Sequence, residues 1–404
     1  MLKCGLLGEK LGHSYSPQIH GMLGDYVYAL HEQPPENVAA FLAQGDFDGM
    51  NVTIPYKKTV IPCCAALSDV AKRMGSVNTI VRQSDGTLLG HNTDYGGFAW
   101  MVKHSGIAVA GAKILVLGNG GVSPTVCTVL SDMGAGEIVV ISRRGEHNYT
   151  NLHRHRDAEV IVNTTPVGMY PNNGEAVIDL RQFPACRGVL ELIYNPARTK
   201  LMLDAETLGI PCAGGLSMLV AQAVEGSSWF QRKEIPDSEI QRVLTTMERQ
   251  MENIVLIGMP GCGKTTVGTM LAQAAGRTFV DADEELVRQA GKTIPEIFAE
   301  EGEDGFRRRE TAVLAQLGKR SGLVIATGGG CVTRPENYPL LHQNGRIVWL
   351  RRNIADLPTD GRPLSRSGRL EEMYRRRKPL YEAFADEVVE NTTPAEAVEK
   401  MIGL

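Results

Sequence analysis

Short runs of consecutive apolar residues, each closed by glycine or a polar cluster, alternate along this chain with stretches whose apolar positions recur every three to four residues. The first pattern predicts buried β-strands and the second predicts helices packed on them. From Met1 to about His104 the strands are CGLLGE, YVYAL and GMNVT, helices start at SPQIHGML and ENVAAFL, and VNTIVRQSDGTLLGHNTD reads as a hairpin. A second series begins at AKILVLGNGG and runs through EIVVISRR, AEVIVNTT and GVLELIYN to PCAG. Strands buried on both faces lose the two-residue alternation, so this series predicts a parallel sheet. Two helices follow, from Leu216 to about Phe230 and, charged, near 238–250. At Glu252 a third series opens with NIVLIG and continues through FVDADEE, LVIATGGG, RIVWLRR and EVVEN. The class is α/β throughout, with a predicted boundary between 250 and 251. The first half divides into a lobe of about 1–104 plus 216–250 and a second lobe of about 105–215.

Length and composition exclude several classes. At roughly 150 residues per domain, 404 residues accommodate two or three cores. A hydrophobic share of 43 % and a charged share of 22 % fit a globular protein and argue against disorder or a fibrous repeat. The net charge of −4 comes without a basic stripe, so no nucleic-acid partner is expected. Eight cysteines form no CxxC pair and no zinc spacing, which predicts reduced thiols. No apolar run reaches the roughly 18 residues of a membrane span, and MLKCGLLGEKLGHSYSP turns polar before a signal-peptide core develops. A cytoplasmic protein with small-molecule partners is expected, its oligomeric state left open. Glycine is in excess, and the excess gathers at 118–121, 258–263 and 328–330, where backbone would approach phosphate or substrate.

Gly258-Met-Pro-Gly-Cys-Gly263-Lys264-Thr265 fits G-x-x-x-x-G-K-[ST] between a strand and a helix starting near Thr265. In such a loop backbone N–H groups wrap phosphate oxygens, the lysine reaches the β and γ phosphates, and the next hydroxyl can ligate Mg²⁺. The candidate ATP-binding residues are Gly261, Cys262, Gly263, Lys264, Thr265 and Thr266, with Thr265 also a metal ligand. In Phe279-Val-Asp281-Ala-Asp283 the two-residue spacing predicts both carboxylates on one face at the end of a strand. One would suit a metal and the other a substrate, although a solvated acidic turn has the same spacing.

With Gly302-Glu-Asp-Gly-Phe306-Arg307-Arg-Arg-Glu310, Thr327-Gly328-Gly329-Gly330, Gly361-Arg362-Pro363-Leu364 and Arg377-Lys-Pro-Leu-Tyr381, residues 252–404 resemble shikimate kinase. The resemblance implies a P-loop α/β/α domain with a lid. It implies that Asp283, Arg307, Gly329, Gly330 and Arg377 hold shikimate, with Asp283 also catalytic, that Asp281 joins the magnesium shell, and that Arg362 closes over the transferring phosphoryl group. The lid between Arg352 and Gly368 is short, and Val389–Pro394 departs from the family's adenine-side segment.

In the first half, Gly118-Asn119-Gly120-Gly121-Val122-Ser123 follows the strand KILVL and opens a helix, which fits a dinucleotide fingerprint. The next strand ends in Ser142-Arg143-Arg144, where an acidic residue would favour NAD and arginine can neutralise a 2′-phosphate, so NADP(H) is the expected cofactor. His13-Ser14-Tyr15-Ser16-Pro17, Asn51-Val-Thr53-Ile-Pro55-Tyr-Lys57, Asn78-Thr79 and Asn92-Thr93-Asp94 add polar groups at strand ends, with Lys57 expected on a helix start.

As a set these residues resemble shikimate dehydrogenase over 1–250. The resemblance implies a two-lobed fold with a Rossmann-like parallel sheet. It implies substrate binding by Ser14, Ser16, Thr53, Asn78, Asp94, Tyr194 and Gln222, a catalytic pair Lys57 and Asp94, and Gly215 and Met218 on the nicotinamide side. Only the polar stretch Gly145–Arg156 stands where the family inserts a helix, strand and helix, so one edge unit is expected to be missing. His153 and His155 in this stretch read as surface-loop residues, with no third ligand for a metal. The two resemblances together imply consecutive reactions: NADPH-dependent reduction of 3-dehydroshikimate, then ATP-dependent phosphorylation of shikimate. Two other readings stay open from sequence: a first half that only binds shikimate and regulates the kinase, and a dehydrogenase preferring quinate or NAD.

Overall fold

The computed structural model describes residues 1–12, 14–357 and 367–402. The chain divides into two compact units, Met1–Met169 with Glu175–Met247, and Tyr170–Gly174 with Glu248–Leu404.

The first unit holds two sheets. One comprises β1 (Lys3–Gly8), β2 (Val27–Glu32), β3 (Gly49–Val52), β4 (Ala66–Leu67), β5 (Thr79–Arg82) and β6 (Leu88–His91), in the order β2-β1-β3-β5-β6-β4. β1 runs parallel to β2 and β3, whereas β5 runs antiparallel to β3 and β6 and forms the expected hairpin. Helices α1 (Ser16–His20), α2 (Val38–Gln44) and α3 (Asp69–Met74) belong to this lobe, and Val38 and Leu42 of α2 share a core with Leu7, Met50 and Ile80 of the strands. Residues 54–60 make successive turns, so Lys57 does not sit on a helix start as expected. Pro55, which lacks an N–H, interrupts any helical ladder there.

The other sheet comprises β7 (Lys113–Leu117), β8 (Glu137–Ile141), β9 (Val160–Asn163), β10 (Gly188–Glu191) and β11 (Cys212–Ala213), all parallel in the order β11-β10-β9-β7-β8. Its strands are continuous apolar runs because both faces are covered. Ile114 and Val116 enter one core while Leu115 and Leu117 enter another. α4 (Asp94–His104), α5 (Ser123–Asp132), α6 (Lys200–Thr207) and α7 (Leu216–Gln231) complete the unit. Between β8 and β9 the chain forms only a single 3₁₀ turn at Leu152–His155, which leaves β8 as the edge strand. His155 is not a surface residue: it is buried, and its Nε2 lies 3.0 Å from Nδ1 of His147.

α8 (Asp237–Met251) carries the chain from the first unit into the second, which holds a parallel sheet of β12 (Asn253–Ile257), β13 (Thr278–Asp281), β14 (Leu323–Ala326), β15 (Gly345–Arg351) and β16 (Glu387–Glu390), ordered β13-β14-β12-β15-β16. The helices are α9 (Lys264–Ala275), α10 (Ala282–Ala290), α11 (Ile294–Gly318), α12 (Asn337–His342), α13 (Ser367–Phe384) and α14 (Pro394–Ile402). Thr293 and Glu296 cap α11 reciprocally. Gly302 breaks that helix with φ +70° and ψ −174°, a conformation only glycine adopts readily. Among the described residues, no helix is long and apolar enough to cross a membrane.

Candidate active sites

A cleft of about 590 Å³ in the first unit is lined from both of its lobes. Lys57 Nζ donates to Asp94 Oδ2 at 2.7 Å on this wall, with both side chains largely shielded from solvent. Asp94 opens α4, and the preceding residues fix that helix start. The Thr93 N–H donates to Asn78 Oδ1 at 2.7 Å, Asn78 Nδ2 donates to Thr93 Oγ1 at 3.0 Å, and Thr93 Oγ1 donates to Gln222 Oε1 of α7 at 3.3 Å. Close packing of α4 on α7 makes this reach possible, since a Cβ on Gly97 would lie 2.8 Å from Gln222 Cβ. Ser14, Ser16, Thr53 and, from α7, Met218 face the same cleft, as do Val122, Tyr194 and Gly215 from the other lobe. Burial raises the Tyr194 phenol above its ordinary value.

The loops after β7 and β8 stand side by side, because Leu117 and Ile141 are register partners in adjacent parallel strands. Gly118 takes φ +100°, and Ser123 begins α5. A side chain at Gly120 or Gly121 would meet nothing within 4 Å, so this face of the loop is open to a ligand. Asn119, Gly120 and Gly121 are accordingly exposed, while Ser142 is buried and its hydroxyl donates to the Arg144 carbonyl at 2.7 Å. Arg143 and Arg144 project into solvent just beyond β8.

In the second unit, Gly258, Gly261 and Gly263 take φ of +145°, +83° and +100°, wrapping the loop around Lys264, whose Nζ donates to the carbonyls of Gly258 at 2.9 Å and Met259 at 3.1 Å. Cys262 is buried, and its carbonyl accepts from Asn391 Nδ2 at 2.6 Å. Thr265 and Thr266 are exposed in the first turn of α9, and Thr265 Oγ1 donates to Asp281 Oδ2 at 2.8 Å. The carboxylates of Asp281 and Asp283 do not share a face through strand alternation. Asp281 ends β13 and caps α10 by accepting from the Asp283 and Glu284 N–H groups, and Asp283 is the second residue of that helix. The helix start therefore separates them, one toward Thr265 and the other into a neighbouring cavity.

That cavity, about 240 Å³, is lined by Asp283, Arg307, Gly328–Gly330 and Arg377 together with Phe298 and Phe306. Arg307 Nη1 donates to Glu310 Oε2 at 2.7 Å, and Arg377 Nη1 and the Tyr381 hydroxyl donate to the Gly329 carbonyl at 3.1 and 2.5 Å. Among the described residues, Asp283 Oδ1, Arg307 Nε, Glu310 Oε1 and Arg377 Nε are buried without a hydrogen-bond partner. Such groups cost free energy unless a polar ligand meets them. Burial raises the carboxyls of Asp283 and Glu310 above the ordinary range, and Asp283 is raised further by the Asp281 charge. A Cβ on Gly330 would lie 2.1 Å from Arg307 Nη2. Gly330→Ala is therefore expected to displace that guanidinium and raise KM for shikimate, the acceptor that the sequence resemblance implies, about tenfold or more, which steady-state kinetics would check.

Against known proteins, the shikimate dehydrogenase substrate-binding-domain family model matches residues 6–80, and the shikimate kinase family model matches residues 260–403. A shikimate dehydrogenase (NADP(+)) of Clostridium beijerinckii is 32 % identical over 267 residues, covering 61 % of this chain and 98 % of that protein. A shikimate kinase of Burkholderia lata is 46 % identical over 152 residues, covering 35 % of this chain and 83 % of that protein. The chain belongs to both families, a shikimate dehydrogenase followed by a shikimate kinase. Among solved structures, the shikimate 5-dehydrogenase of Thermus thermophilus in complex with NADP(H) and shikimate matches with a TM-score of 0.56 and 28 % identity, covering 61 % of this chain and 99 % of its own.

In the dehydrogenase, Ser14, Ser16, Thr53, Lys57, Asn78, Asp94, Tyr194 and Gln222, scattered over more than two hundred positions, converge on one cleft. In the kinase, Asp283, Arg307, Gly329, Gly330 and Arg377 converge on another. Arg362 lies outside the described residues. Sequence reasoning gave no role to Asn51, whose Oδ1 accepts from the Tyr28 hydroxyl at 2.7 Å in the cleft wall, or to Tyr381 and Glu191. Glu191 had a visible signal: a lone acid ending the apolar run GVLE.

Proposed function

We propose that residues 1–250 reduce 3-dehydroshikimate to shikimate with NADPH, and that residues 251–404 phosphorylate the C3 hydroxyl which that reduction creates. The observation that carries the first step is the Lys57–Asp94 pair, held at 2.7 Å in a cleft that also receives Val122 of the dinucleotide loop. The Thermus protein, solved with NADP(H) and shikimate, supports the same pairing of ligands. The open face of Gly120 and Gly121, with Asn119, Val122 and Ser123, suits a pyrophosphate, and Ser142, Arg143 and Arg144 beyond β8 suit a 2′-phosphate. Thr265 and Asp281 offer hard oxygen donors 2.8 Å apart, which fits Mg²⁺.

NADPH supplies the hydride, ATP the phosphoryl group, and Mg²⁺ neutralises phosphate charge. Lys57 holds a proton at Nζ and gives it to the C3 oxygen as the carbonyl becomes a hydroxyl, while Asp94 Oδ2 keeps the ammonium oriented. Ser14 and Ser16 bind the substrate carboxylate, and Thr53, Asn78, Asp94, Gln222 and Tyr194 bind the rest of the ring. Gly215 and Met218 close the nicotinamide side. In the kinase, the guanidinium groups of Arg307 and Arg377 take the shikimate carboxylate, and Gly329 and Gly330 let the ring approach the backbone. Asp283, raised in proton affinity by burial and by Asp281, accepts the hydroxyl proton. Lys264 and the N–H groups of Gly261 to Thr266 bind phosphates.

Cofactor choice tests the first half. Replacing Arg143 and Arg144 together by alanine is expected to raise KM for NADPH about tenfold or more and leave KM for NADH unchanged, since only the 2′-phosphate loses its charged partners. Initial rates with both nucleotides decide this. An unchanged preference for NADPH would contradict it.

A further inference from the structure

Glu191 ends β10 and is fully buried. A carboxylate at such a place is costly unless donors meet it. Asn163 Nδ2, at the end of neighbouring β9, donates to both of its oxygens at 3.0 Å. The Ile193 N–H donates to Oε1 at 3.1 Å, and the Thr199 hydroxyl donates to Oε2 at 2.9 Å.

Each of these donors belongs to a segment of the dinucleotide side. Asn163 Oδ1 accepts from the N–H and hydroxyl of Thr165 at 3.0 and 2.8 Å, and the adjacent Thr164 hydroxyl donates to the carbonyls of Leu117 and Gly118 at 2.7 and 3.2 Å. The Ile193 carbonyl accepts from the Gly215 N–H at 3.1 Å, and Tyr194 follows in the cleft wall. Thr199 caps α6, accepting from the Met202 N–H.

We propose that Glu191 is a positioning residue of the dehydrogenase: its buried carboxylate ties the β9 loop, the Tyr194 segment and the start of α6 into one arrangement, so that NADPH use depends on the carboxylate's charge. The proposal rests on the reading that NADPH enters this cleft. Every contact into the carboxylate is a donor, which matches the ionised form. A proton on either oxygen would face one of these donors, so a contact must reverse or break. Burial pushes this carboxyl up to about 7. The clamp is therefore closed above that pH and loosens as pH falls through it. The groups facing it from β9, from the Ile193 segment and from α6 are an amide, a backbone N–H and a hydroxyl, none of which titrates. The charged side chains flanking Thr199 pair with others, Lys200 with Asp204 and Arg198 with Glu206.

Glu191→Gln puts an amide N–H among the same donors and mimics the protonated form at every pH. In the full-length chain, KM for NADPH is expected to rise about tenfold at about pH 8 with kcat changed less, and the difference from wild type to narrow to about twofold at about pH 6. Other titrating groups are common to both proteins and cancel in the ratio, and the kinase rate reports sample integrity. A ratio that does not vary with pH would indicate a merely structural role and overturn the proposal, as would a variant identical to wild type. Should the glutamine variant not fold, Thr199→Val removes one donor to the ionised form and is expected to move the wild-type inflection to higher pH. An unmoved inflection counts against the clamp. If the wild-type chain itself fails to oxidise NADPH, the underlying reading falls instead.

Discussion

Lys57→Ala is expected to lower turnover of 3-dehydroshikimate reduction by about 10²–10⁴-fold, while the same chain phosphorylates added shikimate at the wild-type rate. The size follows from the role proposed for the side chain. Lys57 is the cation bound to Asp94 at 2.7 Å in the cleft, and without it the oxygen that gains charge as hydride arrives has no placed proton donor. The fall belongs in kcat, because Ser14, Ser16, Asn78 and Gln222 keep their places in the wall. NADPH oxidation and ADP release, followed separately on one preparation, give both numbers. Reduction persisting near the wild-type rate would sink the assignment of Lys57.

Lys264→Ala is expected to do the converse, lowering phosphorylation by about 10²–10³-fold and leaving reduction untouched. Lys264 is buried at the centre of its loop, where Nζ lies within hydrogen-bonding reach of two carbonyls of the same loop. In the proposed role, its removal deletes the loop cation that follows charge onto the transferring phosphoryl oxygens. It also leaves the Gly258 and Met259 carbonyls without that donor, so a thermal melt should accompany the kinetics. A variant that melts like wild type yet phosphorylates normally would contradict the role.

Much of this architecture is legible in the sequence because burial on both faces writes itself as uninterrupted apolar runs. KILVL, VIVN and GVLE are read as parallel strands, and their alternate residues do enter separate cores. The short polar stretch at 145–156 likewise announces the missing edge unit, since it is too brief to supply another crossover. What the chain order hides is local geometry. The turn at Lys57 reads as a helix start because nothing upstream shows that residues 54–60 coil without a ladder. The spacing of Asp281 and Asp283 fits a strand, yet capping by Asp281 starts a helix between them and turns the two carboxylates to different tasks. His155 reads as a polar loop residue because its partner, His147, is recognised only when the loop has folded back. Glu191 and Asn163 are invisible as a pair for the same reason: their strands are neighbours in space and 28 residues apart in sequence.

The central claim is that one chain carries out two successive steps on one molecule. Its most direct test is mass detection of the product formed by the purified chain from 3-dehydroshikimate, NADPH, ATP and Mg²⁺. The expected product is shikimate 3-phosphate, with one NADPH oxidised per ADP released and no phosphorylated product when NADPH is left out. Phosphorylation of added shikimate without any NADPH oxidation from 3-dehydroshikimate would contradict the account.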